Sequence, residues 1–243
     1  MRLDKFMSEA GLLSRKETAR AVSRGEITVN GAVVKRADTK LDETKDRVAF
    51  RGETVDYRAF VYVMMNKPSG YISATEDGNA PVVTELLDET LQKRGLFPCG
   101  RLDKDTTGFM LLTDDGGLAH LLLSPKRHVE KTYAFTLDTP LPTGAEERFA
   151  EGVALGEELC KPARLALAPD RQSGEIRLTE GKYHQIKRMM LTEGASVVTL
   201  SRLTFAGIPL DGTLAPGAWR HLTAEETEKL RQAPYRQKEN KQE

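Results

Sequence analysis

Residues 100–108, Gly-Arg-Leu-Asp-Lys-Asp-Thr-Thr-Gly, decide how the rest of this chain is organised. They precede a continuous apolar run at 109–113, which ends at the turn signal Asp-Asp-Gly-Gly. A short apolar run bounded by turn residues is typical of a buried strand. The charged residues of the stretch 100–108 therefore lie on a loop that a core strand holds in place. Catalytic side chains are often carried by such loops. The alternative is a surface turn with solvated charges.

Composition excludes several classes of protein. The 243 residues are 39% hydrophobic and 30% charged, and 36 Lys and Arg balance 36 Asp and Glu. A uniformly basic nucleic-acid-binding protein is therefore excluded, and any basic surface must be local. No apolar run approaches the roughly 20 residues of a membrane span, and the N-terminus lacks the apolar core of a signal peptide. We therefore expect a cytoplasmic protein that does not contact a membrane.

Cysteine and histidine give no indication of a metal centre. The two cysteines, Cys99 and Cys160, form no CxxC pair and predict neither a zinc knuckle nor a disulfide framework. The four histidines show no paired-ligand spacing. Because no nucleotide-cofactor signature is present either, we predict a protein without a metal or another cofactor.

The first 36 residues predict two helices and a hairpin. The first helix is indicated by an apolar face whose members are Leu3, Phe6, Met7 and Ala10. Ser14 and Glu17 have capping-box spacing, so a second helix should begin there and end at Gly25. The Asn-Gly pair at 30–31 lies between β-rich segments, which is a strong hairpin signal.

Basic residues are concentrated in this segment, which contains eight Lys and Arg but only four Asp and Glu. Lys16, Arg20 and Arg24 are spaced by four and share one helix face, with Arg15 beside it. Such a face can contact a phosphate backbone, although a solvated surface is the usual explanation of a charge stripe.

The N-terminal pattern as a whole resembles the small RNA-binding domain named after ribosomal protein S4. The resemblance covers about the first fifty residues and includes Arg-Leu-Asp-Lys at 2–5, Ser-Arg at 14–15 and Val-Asn-Gly at 29–31. It implies that the two helices bind structured RNA. The candidate RNA contacts are Arg2, Arg15, Lys16, Arg20 and Arg24.

Three later segments resemble the pseudouridine synthases that modify bacterial ribosomal RNA. The first is the Gly-Arg-Leu-Asp loop with its Thr-Gly pair and apolar strand; the others are Glu-Lys-Thr-Tyr at 130–133 and Gly-Lys-Tyr-His-Gln-Ile-Lys-Arg-Met at 181–189. Asn-Lys-Pro-Ser-Gly at 66–70, which follows a predicted strand at 61–65, also resembles this family.

The resemblance implies an α+β fold. A small α/β RNA-binding domain would extend to about residue 58, and a catalytic domain with a mixed, mainly antiparallel sheet would span 59–232. Residues 82–91 should form a short amphipathic helix, and the polar segment 233–243 is expected to be a disordered tail.

The same resemblance assigns roles to individual residues. In this family the aspartate of Gly-Arg-Leu-Asp is catalytic, which corresponds to Asp103. The tyrosine of the second motif stacks on the substrate base, here Tyr133, and the basic residue of the third motif pairs with the aspartate, here Lys187. Lys67 is a candidate phosphate or fold contact. The remaining candidate substrate contacts are Arg101, Ile186, Arg188 and Leu200.

The implied reaction breaks the bond from ribose to the uracil nitrogen, turns the base and rejoins it through carbon. A carboxylate in a pocket that excludes water stays ionised when a cation lies close, and Lys187 would supply that cation. Ile186 and Leu200 would supply apolar walls. Asp103 would attack the sugar, abstract a neighbouring proton or add to the ring.

Two other classes of function fit parts of the sequence. A non-catalytic RNA-binding factor would keep the basic N-terminal segment, but it would not need Asp103, Tyr133 and Lys187 together. A glycosidase would pair Asp103 with Asp105 or Asp114, yet no aromatic platform for a sugar is evident.

Within the family, Lys-Pro-Ala at 161–163 and the basic cluster Lys-Arg-His at 126–128 favour the small-subunit branch. The expected target is one uridine of 16S ribosomal RNA, uridine 516, with 23S ribosomal RNA as the alternative. The expected partner is ribosomal RNA or a small-subunit assembly intermediate, bound by a monomer.

Overall fold

A computed structural model describes residues 1–43, 45–55, 59–127 and 129–235. The described chain forms two compact units, which divide at Val61 and Tyr62. The first also includes Leu87–Leu96, and the second comprises Tyr62–Leu86 and the described residues from Phe97 onward. Three parts of the predictions lie outside the described residues. They are residues 56–58 at the end of the predicted RNA-binding domain, His128 of the predicted basic cluster and residues 236–243 of the predicted tail.

The first unit combines three described helices with an antiparallel sheet in the strand order β2-β1-β3-β4. The elements are α1 (Leu3–Glu9), α2 (Arg15–Ser23), β1 (Ile27–Val29), β2 (Ala32–Val33), β3 (Val48–Phe50), β4 (Glu53–Thr54) and α3 (Glu89–Arg94).

Local sequence signals account for this unit. The apolar face of α1 is buried, and helix α2 begins with the predicted capping box between Ser14 and Glu17. Asn30 and Gly31 have φ angles of 52° and 82°, which lets the chain reverse tightly between β1 and β2. The two predicted helices and the hairpin are therefore confirmed.

The second unit contains the other described elements. They are β5 (Tyr62–Lys67), a 3₁₀ helix (Val83–Leu86), β6 (Phe97–Pro98), β7 (Thr107–Thr113), α4 (Gly116–Leu123), β8 (Lys131–Leu137), α5 (Ala145–Glu151), β9 (Ala154–Leu155), β10 (Glu158–Leu159), β11 (Arg164–Leu167), β12 (Ser173–Leu178), α6 (Gln185–Thr192), β13 (Val197–Phe205), β14 (Ile208–Pro209), β15 (Trp219–His221) and α7 (Ala224–Gln232).

One large sheet organises the described part of this unit. Its strand order is β11-β12-β8-β13-β7-β5-β15, with β14 paired to β13 and β6 paired to β7. The pair β13 and β7 is parallel, whereas the other pairs in this sheet are antiparallel. The predicted mixed, mainly antiparallel sheet is confirmed.

Strand β7 is the predicted apolar strand, and residues 109–112 are fully buried. It lies between β5 and β13, where Gly108 is opposite Lys67 on one side and Arg202 on the other. The loop at 100–106 therefore enters the sheet at its centre.

Two predicted elements differ from the structure. Instead of one helix at 82–91, a 3₁₀ helix ends at Leu86 and α3 begins at Glu89. The Asp88 side chain accepts a hydrogen bond from the Leu91 amide, so it caps a new helix. Ala233, predicted as the start of the tail, instead packs in the core of the second unit because α7 carries it there.

Gly108 should tolerate no side chain. Its φ is 96°, and an added Cβ would lie 2.4 Å from the Arg202 carbonyl oxygen and 2.7 Å from the Arg202 nitrogen. We expect Gly108→Ala to lower the free energy of unfolding by more than about 1 kcal/mol, because β7 and β13 must separate. Denaturant unfolding measures this change. Gly116→Ala is the control, since its Cβ meets no atom within 4 Å, and equal stability of the two variants would contradict the expectation.

Candidate active site

The loop before β7 borders a cavity of about 790 Å³ within the second unit. This volume lies in the range typical of small-molecule sites. The wall also includes β8, the start of α6 and part of β13. The sequence-predicted residues that line it are Arg101, Asp103, Tyr133, Ile186, Lys187 and Leu200.

Lys187 is shared between two carboxylates. Its Nζ lies 3.1 Å from Oδ2 of Asp103, and 2.6 Å and 2.9 Å from the two carboxylate oxygens of Asp105. The hydrogen bond from Lys187 lowers the pKa of Asp105. Partial burial opposes the charged form of Lys187, but the bonds to Asp105 and Asp103 raise its pKa overall. The structure thus brings the predicted pair together and adds Asp105, which was considered only as a glycosidase carboxylate.

His184 is a further neighbour of the predicted catalytic carboxylate. Its Nε2 lies 3.5 Å from Oδ1 of Asp103. The residue precedes α6 in a left-handed conformation, with φ of 46°. Such backbone strain in a residue other than glycine is often found at functional sites. Sequence reasoning assigned it no role, and its position inside the third motif was the only available signal.

Lys67 lies beneath the loop and is fully buried. Its Nζ is within 3.2 Å of the carbonyl oxygens of Asp103, Lys104, Thr106 and Pro68. Burial lowers its pKa to about 8, although the charges of Asp105 and Asp103 oppose this shift. Of the two predicted roles, the fold contact therefore agrees with the structure, whereas a direct contact with phosphate does not, because the ammonium group is enclosed by backbone.

Further hydrogen bonds fix the loop. Leu102 exchanges two bonds of 2.9 Å with the Ser73 hydroxyl, through its amide and its carbonyl. The Thr106 amide donates to the Asp103 carbonyl, and the Gly70 amide donates to that of Lys104. The conformation of the loop is thus set before any ligand binds.

Strands β8 and β13 contribute a mainly apolar part of the cavity wall, with two added cations. Tyr133 and Leu200 are each 8% exposed, on the adjacent strands β8 and β13. Arg202 is buried and donates from Nε to the Phe109 carbonyl at 2.6 Å. Burial, reinforced by Arg202, lowers the pKa of Lys131 to about 8. Sequence reasoning missed both cations as part of the cavity wall.

Arg188 does not belong to this wall. It is half-buried on α6, and its Nη1 donates to the Tyr183 carbonyl at 3.5 Å. Its role as a substrate contact therefore stays a prediction, for a residue that is not among those that line the cavity.

The predicted RNA contacts of the first unit differ in whether an acidic side chain pairs with them. Arg15, Lys16 and Arg20 are exposed on α2 and form no ion pair with a described residue. Arg24 lies 3.8 Å from Glu26. Arg2 is bound by Asp4 at 2.7 Å, and this hydrogen bond lowers the pKa of Asp4. The α2 residues are therefore better placed than Arg2 to meet phosphate.

Neither a metal centre nor a membrane span is found in the described chain. No group of three or more His, Cys, Asp or Glu among the described residues could hold a metal ion. None of the described helices is long and apolar enough to cross a bilayer.

Known proteins resemble this chain over both units. The model of the RNA pseudouridylate synthase family matches residues 61–192, and that of the S4 domain matches residues 1–48. A Bacillus subtilis protein named as an RNA pseudouridine synthase is 44% identical over 230 residues, which cover 93% of this chain and 96% of that protein. The ribosomal small subunit pseudouridine synthase A of Escherichia coli K12 is 44% identical over 231 residues, with 93% and 98% covered.

A solved structure agrees with these relatives. It is a crystal structure of a pseudouridylate synthase with a TM-score of 0.67 and 37% identity, and the match covers 95% of this chain and 99% of that one. The predicted fold class is therefore confirmed along nearly the whole chain.

Lys67→Met should destabilise the second unit. Methionine keeps much of the volume but removes the ammonium group that donates to the Pro68 and Thr106 carbonyl oxygens, which costs about 1–3 kcal/mol. Thermal unfolding measures this change. Lys229→Met, which removes only an exposed pair with Glu225, should change stability by at most about 0.5 kcal/mol. Similar melting temperatures for the two variants would contradict the structural role of Lys67.

Proposed function

Because the chain belongs to the RNA pseudouridylate synthase family, we propose that it isomerises a uridine of small-subunit ribosomal RNA to pseudouridine. The observation that carries this proposal is the Asp103 carboxylate, held by Lys187 at 3.1 Å in a cavity that Tyr133 also lines. A carboxylate, a cation and an aromatic ring are the groups that the reaction requires.

The cavity supports a reaction on an extruded base. Asp103 is 28% exposed, so a ligand can reach it while the surrounding wall excludes most water. A uridine inside a structured RNA must leave its stack before its glycosidic bond can be approached. Tyr133 offers a ring beside that base, and Leu200 and Ile186 enclose it. Asp103 then acts on the sugar, on a neighbouring proton or on the ring, with the Lys187 ammonium group 3.1 Å from its carboxylate.

The charge of the cavity favours a nucleic acid over a neutral sugar. Among its described lining residues, six are Lys or Arg and two are Asp or Glu. Such an excess of cations attracts a phosphate-bearing ligand. A glycosidase, by contrast, works with two carboxylates at the scissile bond. Here the second carboxylate near Asp103 belongs to Asp105, whose oxygens are both bound by Lys187.

The proposed target is 16S ribosomal RNA, and within it uridine 516. Relatives in Escherichia coli and Yersinia pestis carry the name ribosomal small subunit pseudouridine synthase A. The two segments that favour this branch lie together, because the Lys161 ammonium group donates to the Pro125 carbonyl at 3.0 Å. Pro125, which precedes the basic cluster, lines the cavity, and this supports a contact between that segment and RNA near the target.

The protein would act as a monomer in the cytoplasm, on free ribosomal RNA or on a small-subunit assembly intermediate. The direct test incubates the purified protein with unmodified small- and large-subunit RNA and with assembly particles, and then maps pseudouridine in each. Modification at uridine 516 supports the proposal. Pseudouridine in 23S RNA alone would refute the proposed target but agree with the proposed reaction. RNA binding without product would indicate a non-catalytic factor.

Asp103→Asn should abolish turnover, because the amide keeps the size of the side chain but removes its charge. We expect at least an approximately 100-fold loss of pseudouridine formation, with folding and RNA binding retained. Lys187→Met should also slow turnover, since Asp103 loses its cation.

The control for this prediction is Asp114→Asn, at the other end of β7 and outside the cavity lining. It should remain active. Full activity of Asp103→Asn would overturn the proposed chemistry. Inactivity of Asp114→Asn would instead favour a mechanism that uses two carboxylates.

Removing the α2 charges should weaken RNA binding and reduce its dependence on salt. The variant Lys16→Ala, Arg20→Ala, Arg24→Ala should lower the slope of log K against log salt by about two to three, because fewer counterions are released. Binding titrations at several salt concentrations give the slope.

The control variant Arg36→Ala, Lys40→Ala, Lys45→Ala removes the same charge elsewhere in the unit. Equal slopes for the two triple variants would indicate that the α2 face is only solvated and makes no specific contact with RNA.

A further inference from the structure

We propose that Tyr183 and His184 form a stacking platform for an RNA base next to the target uridine. This inference rests on the proposed function, but none of the roles assigned to Asp103, Tyr133 or Lys187 requires it. The platform lines the same cavity as these three residues.

The two rings are already stacked on each other. Their centroids are 3.9 Å apart and their planes differ by 15°. Tyr183 is nevertheless 72% exposed, so His184 covers one face of its ring while solvent reaches the other. An exposed aromatic face of this kind is the element on which proteins stack unpaired bases.

The platform begins at the reacting carboxylate. His184 Nε2 lies 3.5 Å from Oδ1 of Asp103, and the Tyr183 ring is stacked on a face of the same imidazole. A base on the open face of Tyr183 would therefore extend a stack whose inner ring, His184, contacts the Asp103 carboxylate. That position suits a nucleotide next to the one whose base has entered the cavity.

The segment that carries the platform is held rigidly. The Gln185 side chain accepts from the Lys182 amide at 2.9 Å and donates to Glu180 at 2.6 Å. The Tyr183 carbonyl accepts from Arg188, and His184 adopts the left-handed conformation that turns its ring toward Asp103. Little ordering is thus required when a base stacks, which favours binding.

The surrounding charge identifies the occupant as nucleic acid. Arg101, Lys104 and Lys182 line the same cavity, and cations around an aromatic face are the usual arrangement for single-stranded RNA. Extrusion of the target uridine also breaks its stacking on the neighbouring bases. A face of a neighbouring base then becomes available to stack on Tyr183.

The test uses the Asp103→Asn protein, which should bind RNA without turnover, and a small-subunit RNA fragment with 2-aminopurine on one or the other side of the target. Stacking on Tyr183 should quench the fluorescence at one flank. Adding Tyr183→Ala should remove that quenching and weaken binding about 5- to 150-fold. Tyr183→Phe, which keeps the ring, should retain both.

Leu191→Ala is the matched control, because this exposed apolar side chain lies on α6 outside the cavity lining. Its affinity and quenching should equal those of the parent. Unchanged affinity and quenching in Tyr183→Ala would overturn the platform, as would the absence of quenching at both flanks. These outcomes are independent of the proposed function, which fails only if the active protein forms no pseudouridine or if Asp103→Asn retains turnover.

Discussion

The Lys67 ammonium group supports the loop on which the site depends. The loop at 103–106 directs three carbonyl oxygens inward, and a fourth comes from Pro68. These hydrogen bonds are buried or partly buried, where carbonyl oxygens need donors. One lysine at the end of β5 contacts all four, and the Thr106 and Gly70 amides also donate to the Asp103 and Lys104 carbonyls. Since β5 pairs with β7 along six residues, the position of Lys67, and with it the Asp103 backbone, is fixed by the centre of the sheet.

A second cation acts above the loop. Lys187 binds the exposed Asp105 and the more enclosed Asp103 through the same nitrogen. Solvent and salt weaken the interaction with Asp105, which is 70% exposed, more than that with Asp103. Burial opposes the charged form of Lys187, and among the effects that raise its pKa the hydrogen bond to Asp105 is the largest, followed by that to Asp103. The loop is thus held by one lysine through its backbone and by another through its side chains.

Local signals in the sequence predicted much of the fold but only part of the site. The faces and caps of α1, α2 and the hairpin involve neighbours within a few residues, and those predictions were confirmed. Asp88 ended the helix expected at 82–91 because side-chain capping competes with apolar periodicity. The roles of Lys67, Asp105 and His184 depend on contacts between segments far apart in sequence, which spacing does not reveal. Motif resemblance located Asp103 and Lys187, but the sharing of one ammonium group by two carboxylates required the structure.

The strand order explains why such distant segments meet. Strands β8, β13 and β7 are neighbours in the sheet, so Tyr133 and Leu200 come to stand beside the loop that precedes β7. The parallel pairing of β13 with β7 brings Arg202 against Gly108 at the point where that loop ends. A side chain at 108 would displace this contact, and it would move the wall that carries Leu200 relative to Asp103. The close pairing of β7 with β13 therefore requires the glycine of the first motif. Gly108 affects the chemistry of the loop indirectly, because it keeps the two strands together.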